Sequence, residues 1–178
     1  SLESTLFSRR KETRQEMWLP QLETEGIRFV GRADRVDVLD DGRLLLFDYK
    51  LAKSANFPIG GKAPKRQLAA YGAMLREAGQ NLAGFVYMGI EDGGFKGLLA
   101  DGNLARALGT DLKKREENRA EALEASMDEA RELMENMARS VRDGYFPPNY
   151  AANACRYCDF SSLCRRAEAG KGDDDDDA

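Results

Sequence analysis

Gly31-Arg32-Ala33-Asp34-Arg35-Val36-Asp37-Val38-Leu39, then Asp40-Asp41-Gly42, then Arg43-Leu44-Leu45-Leu46-Phe47-Asp48-Tyr49-Lys50 is the stretch on which the fold turns. β-Branched and large apolar residues, from Ile27 to Leu39 and from Arg43 to Leu51, flank the Asp-Asp-Gly triplet, which is the composition of two antiparallel strands joined by a tight turn. Residues two apart on a strand share a face. Asp48 and Lys50 therefore continue the face of Leu44 and Leu46, while Phe47 and Tyr49 point the other way. A three-residue loop with Gly42 in the left-handed conformation pairs Leu39 with Arg43 and sets Asp34 opposite Asp48, with Cβ atoms about 4.5–5.5 Å apart. A two-residue turn at Asp41-Gly42 would instead put the two carboxylates on opposite faces. Facing carboxylates repel, and a cation between them relieves that repulsion. A hard ion such as Mg²⁺, which commonly binds one or two carboxylates and keeps several waters, suits this donor set. Asp37, of odd parity relative to Asp34, is expected to face away and to be structural.

Outward from the hairpin, Ser4 to Trp18 reads as a polar helix ended by Pro20. Asn56 to Pro64 reads as a loop, and Lys65 to Ala78 as a helix closed by Gly79. Leu82 to Ile90 suits a strand buried on both faces, and after the Gly93-Gly94 turn Phe95 to Leu99 suits a short further strand. Leu123, Met127, Ala130, Met134, Met137 and Val141 form an apolar stripe on one long helix from Leu112 to Arg142. These elements make an α/β domain: a mixed central sheet flanked by helices, with a long C-terminal helix. Residues 1–150 are expected to form this core, 151–169 a cysteine-rich segment and 170–178 a disordered acidic tail.

The chain has 178 residues, 42% hydrophobic and 33% charged, which suits one domain. No apolar run approaches the roughly 20 residues of a bilayer span, so no membrane partner is expected. The formal charge of −4 is due to the aspartate run Asp173 to Asp177; without it 27 basic residues face 26 acidic ones, and local basic surface remains available to nucleic acid. The absence of histidine excludes Ser-His-Asp and Cys-His catalysis and histidine-containing zinc sites. Chemistry must then rest on carboxylates, lysine, tyrosine or cysteine. The polar start Ser1-Leu2-Glu3-Ser4 has neither an initiator Met nor a secretory signal, which suggests a cytoplasmic piece of a longer protein.

Gly31-Arg32-Ala33-Asp34, Asp48-Tyr49-Lys50 and Gln67-Leu68-Ala69-Ala70-Tyr71, in this order, resemble the PD-(D/E)XK nuclease superfamily in its RecB-like branch, with a G-x-x-D strand, a D-x-K strand and a Q-x-x-x-Y helix. The resemblance implies a restriction-endonuclease-like fold. It implies that Asp34, Asp48 and the Tyr49 carbonyl ligate Mg²⁺ or Mn²⁺, that Lys50 positions the attacking water and that Gln67 and Tyr71 support the site. Relatives carry a further ligand upstream on a helix, for which Glu16 is the candidate by position, with Glu12 behind it. Lys50, Lys53, Lys62, Lys65 and Arg66 form a basic stretch without an acid, suited to a DNA backbone, and Phe57 and Tyr71 could stack on an unpaired base.

Cys155-x₂-Cys158-x₅-Cys164 follows the long helix. Three clustered thiols suggest a soft metal or an iron-sulfur cluster. The cluster also resembles AddB-type nucleases, in which three such cysteines and one upstream hold a [4Fe-4S] cluster. The implied function is a metal-dependent DNA exonuclease module partnered by a helicase domain or subunit in double-strand-break repair. Two other readings are a stand-alone exonuclease like those of CRISPR spacer acquisition, and a catalytically silent DNA-binding or scaffold module of the same fold.

Overall fold

The computed structural model describes residues 8–51, 66–107, 117–146, 160 and 163. Two compact units divide the chain, residues 1–143 and 144–178. In the second, the Leu163 N–H donates to the Phe160 carbonyl at 3.0 Å. Lys53, Phe57, Lys62, Lys65, Cys155, Cys158, Cys164 and the acidic tail lie outside the described residues.

The first unit carries strands β1 (Arg10–Trp18), β2 (Leu22–Thr24), β3 (Ile27–Phe29), β4 (Arg32–Leu39) and β5 (Leu44–Lys50). Helix α1 (Gln67–Glu77), β6 (Leu82–Gly89), β7 (Phe95–Leu99), α2 (Gly102–Ala107) and α3 (Glu117–Arg142) follow. Five strands form one sheet in the order β1-β4-β5-β6-β7, and β2 pairs with β3 in a separate ribbon. β5 and β6 run parallel, and the other neighbours are antiparallel. A parallel pair needs a crossover, and α1 lies on it. This is the mixed α/β, restriction-endonuclease-like architecture.

The sheet buries both faces. On one, Val36, Leu44, Leu46, Phe85 and Tyr87 pack against α1 and α3 through Leu68, Leu75, Leu123 and Met127. On the other, Leu39, Leu45, Phe47, Val86 and Leu99 meet Leu104 and Ala105 of α2. Each buried Val, Leu, Phe or Met among these contributes roughly 1.5–3 kcal/mol by leaving water. Two-sided burial explains why Leu44-Leu45-Leu46-Phe47 shows no polar alternation. Arg76 of α1 bridges Glu124 at 2.8 Å and Asp128 at 2.7 Å, tying α1 to α3.

Three sequence expectations change. Residues 10–18 are an edge strand, not part of a helix, and Ser4 to Phe7 lie outside the described residues. A strand so exposed and charged has no apolar period to announce it, and charge is how sheet edges resist pairing with other chains. The first hairpin strand is broken after Phe29, where β3 turns back on β2 and β4 begins at Arg32. On α3, Leu123, Met127, Ala130, Met134 and Ala138 are buried, while Met137 and Val141 are half exposed. A period of 3.6 residues carries the buried face off a 3.5-residue stripe by the end of so long a helix.

Candidate functional site

The turn decides the register. The Leu39 N–H donates to the Arg43 carbonyl at 2.9 Å, the Gly42 N–H to the Leu39 carbonyl at 3.0 Å, and Gly42 has φ of +82°. This is the three-residue loop, in which only glycine takes the left-handed position without strain. Val38 then pairs with Leu44, Asp37 with Leu45, Val36 with Leu46 and Arg35 with Phe47. Continuing the register sets Asp34 opposite Asp48.

The ladder ends there. β4 still pairs with β1 as far as Arg32, and β5 with β6 as far as Lys50. Between β4 and β5, however, pairing stops at Arg35 and Phe47, and the Tyr49 N–H donates to Asp34 Oδ2 at 3.0 Å. The strands part where the two carboxylates face each other, and one carboxylate takes the ladder's place.

Asp48 is buried, with 3% of its surface exposed, deeper than the solvent end of a strand would suggest. Lys50 Nζ lies 2.5 Å from Asp48 Oδ2, an ion pair rather than an aligned hydrogen bond. It also donates to Gln67 Oε1 at 3.3 Å, and Gln67 Nε2 donates to the Tyr71 hydroxyl at 3.2 Å. Gln67 and Tyr71 stand one helical turn apart at the start of α1, so a short polar chain links Asp48, Lys50, Gln67 and Tyr71.

Gly31 and Tyr87 support this chain, and sequence reasoning assigned neither a role. A Cβ on Gly31 would lie 2.7 Å from Tyr71 Cε1 and 3.2 Å from Leu19 Cδ1. The first glycine of the G-x-x-D stretch is thus the seat of the tyrosine ring. The Tyr87 hydroxyl accepts the Leu68 N–H at 3.5 Å, at the start of a helix with no side-chain cap, and the Lys50 ammonium stands 5.7 Å above the ring. Burial pushes the Tyr87 phenol up to about 12, aided by Asp48 and Tyr71 and opposed by the Leu68 N–H, so it stays protonated. The sequence signal was present but ambiguous, since a tyrosine inside a buried strand reads as packing.

Glu16 lies on β1 rather than on a helix, between Gln15, paired with Arg35, and Met17, paired with Ala33, which puts it opposite Asp34. Its φ is +50°, and its carboxylate meets Arg32 Nε at 3.0 Å. Glu12 pairs with Arg14 at 2.8 Å. Gln15, Glu16, Asp34, Arg35 and Tyr49 line a cavity of about 440 Å³ beside the parted strands. Asp37 faces the opposite side from Asp34, as parity requires; it is fully buried and held by Arg35 and Thr13. Arg66, at the entry to α1, reaches Glu129 at 3.6 Å.

The donors around the parted strands are the Asp34 and Asp48 carboxylates and the adjoining Tyr49 backbone. An all-oxygen set of this kind fits a hard divalent cation that retains water ligands. Among the described residues no three acidic or cysteine side chains converge on one metal position, so Glu16 does not complete a cluster.

Two facing carboxylates, a lysine two residues on and a supporting helix on a mixed sheet match the arrangement expected of a metal-dependent nuclease. A family model of the PD-(D/E)XK nuclease superfamily matches residues 2–165, and the chain belongs to that superfamily. Its members are usually phosphodiester hydrolases that use Mg²⁺ or Mn²⁺. No curated protein matches the chain. Among solved structures, the crystal structure of SSO0001 is similar, at 18% identity over 92% of this chain with a TM-score of 0.45, and this chain covers 65% of that one. No described helix is long and apolar enough to cross a membrane.

Proposed function

We propose that the protein is a metal-dependent deoxyribonuclease that acts as an exonuclease module, partnered by a helicase domain or subunit in cytoplasmic DNA repair. The observation that carries the nuclease reading is the parting of β4 and β5 at Asp34 and Asp48, with Lys50 held between Asp48 and Gln67. Asp34, Asp48 and the Tyr49 carbonyl would hold Mg²⁺ or Mn²⁺, which when bound supplies Lewis-acid stabilisation of charge on the phosphate. Lys50 orients the attacking water and neutralises negative charge on the phosphate oxygen as it develops. Gln67, backed by Tyr71, gives the ammonium a second partner beside Asp48. Lys53, Lys62, Lys65 and Arg66 would carry the DNA backbone past the site, with Arg66 exchanging Glu129 for phosphate. Cys155, Cys158 and Cys164, together with a fourth ligand, would hold a [4Fe-4S] cluster.

The test is cleavage of end-labelled DNA with Mg²⁺, Mn²⁺ or chelator. Asp34→Asn and Asp48→Asn are each expected to slow the metal-dependent reaction at least about a hundredfold, since Lewis-acid stabilisation is worth several kcal/mol. Wild-type rates in both folded variants would remove Asp34 and Asp48 from the reaction, and a wild-type chain that binds DNA without metal-dependent cleavage would leave a DNA-binding or scaffold module.

A further inference from the structure

We propose that Arg35 is a phosphate-binding residue, a second anchor for the nucleic-acid backbone in the cavity that Asp34 borders. The inference rests on the nuclease reading and adds to it a residue on the sheet face opposite Lys50.

Arg35 is held as a preformed fork. Asp37, fully buried, accepts from Nε at 2.8 Å and from Nη2 at 2.5 Å, and the Thr13 hydroxyl donates to the same carboxylate at 2.8 Å. The Phe47 ring lies under the guanidinium, 4.5 Å from ring centre to Cζ. The third corner, Nη1, reaches the Tyr49 hydroxyl at 3.4 Å, a long and readily exchanged hydrogen bond. A fifth of the side chain remains exposed, and Arg35 and Tyr49 line the 440 Å³ cavity together with Asp34. The Asp37 hydrogen bonds hold the guanidinium well above its ordinary value, so it is charged at every accessible pH.

A counter-ion alone would not require this placement. A buried ion pair is seldom more stabilising than well-packed apolar residues of the same volume, so its position at a cavity wall beside a metal-binding carboxylate calls for another reason. A rigid, planar, weakly hydrated donor matches phosphate and binds it at little entropic cost. The spacing fits as well. Asp34 and Arg35 are adjacent on β4 and project to opposite faces, so they would contact different phosphates rather than compete for one.

Removing Arg35 alone would strand the buried Asp37, so the variant of choice is Arg35→Gln combined with Asp37→Asn, an amide pair of similar shape. Binding of a fluorescein-labelled DNA hairpin with a single-stranded tail would be followed in Ca²⁺ across a salt series. The double variant is expected to weaken binding roughly three- to tenfold and to flatten the plot of log affinity against log salt by about 0.7–0.9, the loss of one phosphate contact. Asp37→Asn alone keeps the guanidinium without its counter-charge and is expected to tighten binding. In the wild-type protein, the Arg35 guanidinium NMR resonances should shift on titration with the same hairpin, a readout that needs no variant to fold. Unchanged affinity and salt slope in the folded variants, or unmoved Arg35 resonances at saturation, would overturn the proposal. If cleavage still depended on Asp34 and Asp48, that result would refute this inference alone. A wild-type chain that neither binds nor cuts the hairpin would refute it together with the nuclease reading.

Discussion

At the scale of single residues, the site depends on one absent side chain. Gly31 leaves room for the Tyr71 ring, Tyr71 accepts from Gln67, and Gln67 receives Lys50. Gly31→Ala would drive a methyl group to within 2.7 Å of the ring and 3.2 Å of Leu19. Overpacking of this kind costs about 1–3 kcal/mol. The displaced ring would let go of Gln67, and a catalytic group misplaced by a fraction of an ångström costs about tenfold or more in rate. Both a lower unfolding midpoint and a lower kcat are expected, and trimming the ring with Tyr71→Leu in the same chain should recover the midpoint but not kcat. Full activity in folded Gly31→Ala would show that the tyrosine does not position Lys50. The placement of Asp34 opposite Asp48, with Lys50 on the same face as Asp48, was legible in the sequence because strand parity and one glycine at the turn are local rules. Arg35 and Tyr87 were not, because an arginine or tyrosine in an apolar strand looks the same whether it packs, pairs or binds.

At the scale of elements, β1 is where local rules failed and where a backbone anomaly sits. Lysine, arginine and glutamate favour helices in isolation, and tertiary pairing with β4 overrides that weak preference. The hairpin, the crossover helix and the last two strands were legible because each joins a marked turn to a buried apolar run. Within β1, Glu16 adopts φ of +50° in a strand otherwise extended, a conformation that costs a non-glycine residue roughly 1–2 kcal/mol. Glu16→Gly should therefore stabilise the protein, by about 0.5–1 kcal/mol after glycine's own entropic cost, as read by denaturant unfolding. Its carboxylate is engaged by Arg32, so cleavage should persist in this variant. Loss of metal-dependent cleavage in the stabilised variant would instead identify Glu16 as a ligand.

At the scale of the whole molecule, an ion-pair network away from the site holds the first unit together. Asp101 takes Arg9 at 2.9 Å and Arg43 at 3.1 Å while accepting the backbone N–H groups of Asn103 and Leu104, so it joins the chain before β1, the hairpin turn and the start of α2. Burial alone would raise its pKa, but the Arg9, backbone and Arg43 hydrogen bonds together outweigh it and hold the carboxyl at about 2. A depressed folded pKa gives stability that is present above the unfolded value near 4 and is lost as pH falls through about 2. Asp101→Asn should then cost about 1–2 kcal/mol at neutral pH, with the gap to wild type closing as pH drops from about 5 to about 2. A gap independent of pH would place the loss in packing rather than in charge. The architecture could be foreseen from the order of strands and helices, whereas the partners and the role of the cysteines rest on cysteine spacing and family resemblance, since a surface lysine or a thiol carries no record of what it meets. In the proposed function a divalent cation sits where β4 and β5 part. Anomalous diffraction from a crystal soaked in Mn²⁺ tests it most directly. The expected result is one strong peak within about 2.0–2.3 Å of carboxylate oxygens of both Asp34 and Asp48, absent from Asp48→Asn. No peak there at saturating Mn²⁺, or a peak touching neither aspartate, would contradict it.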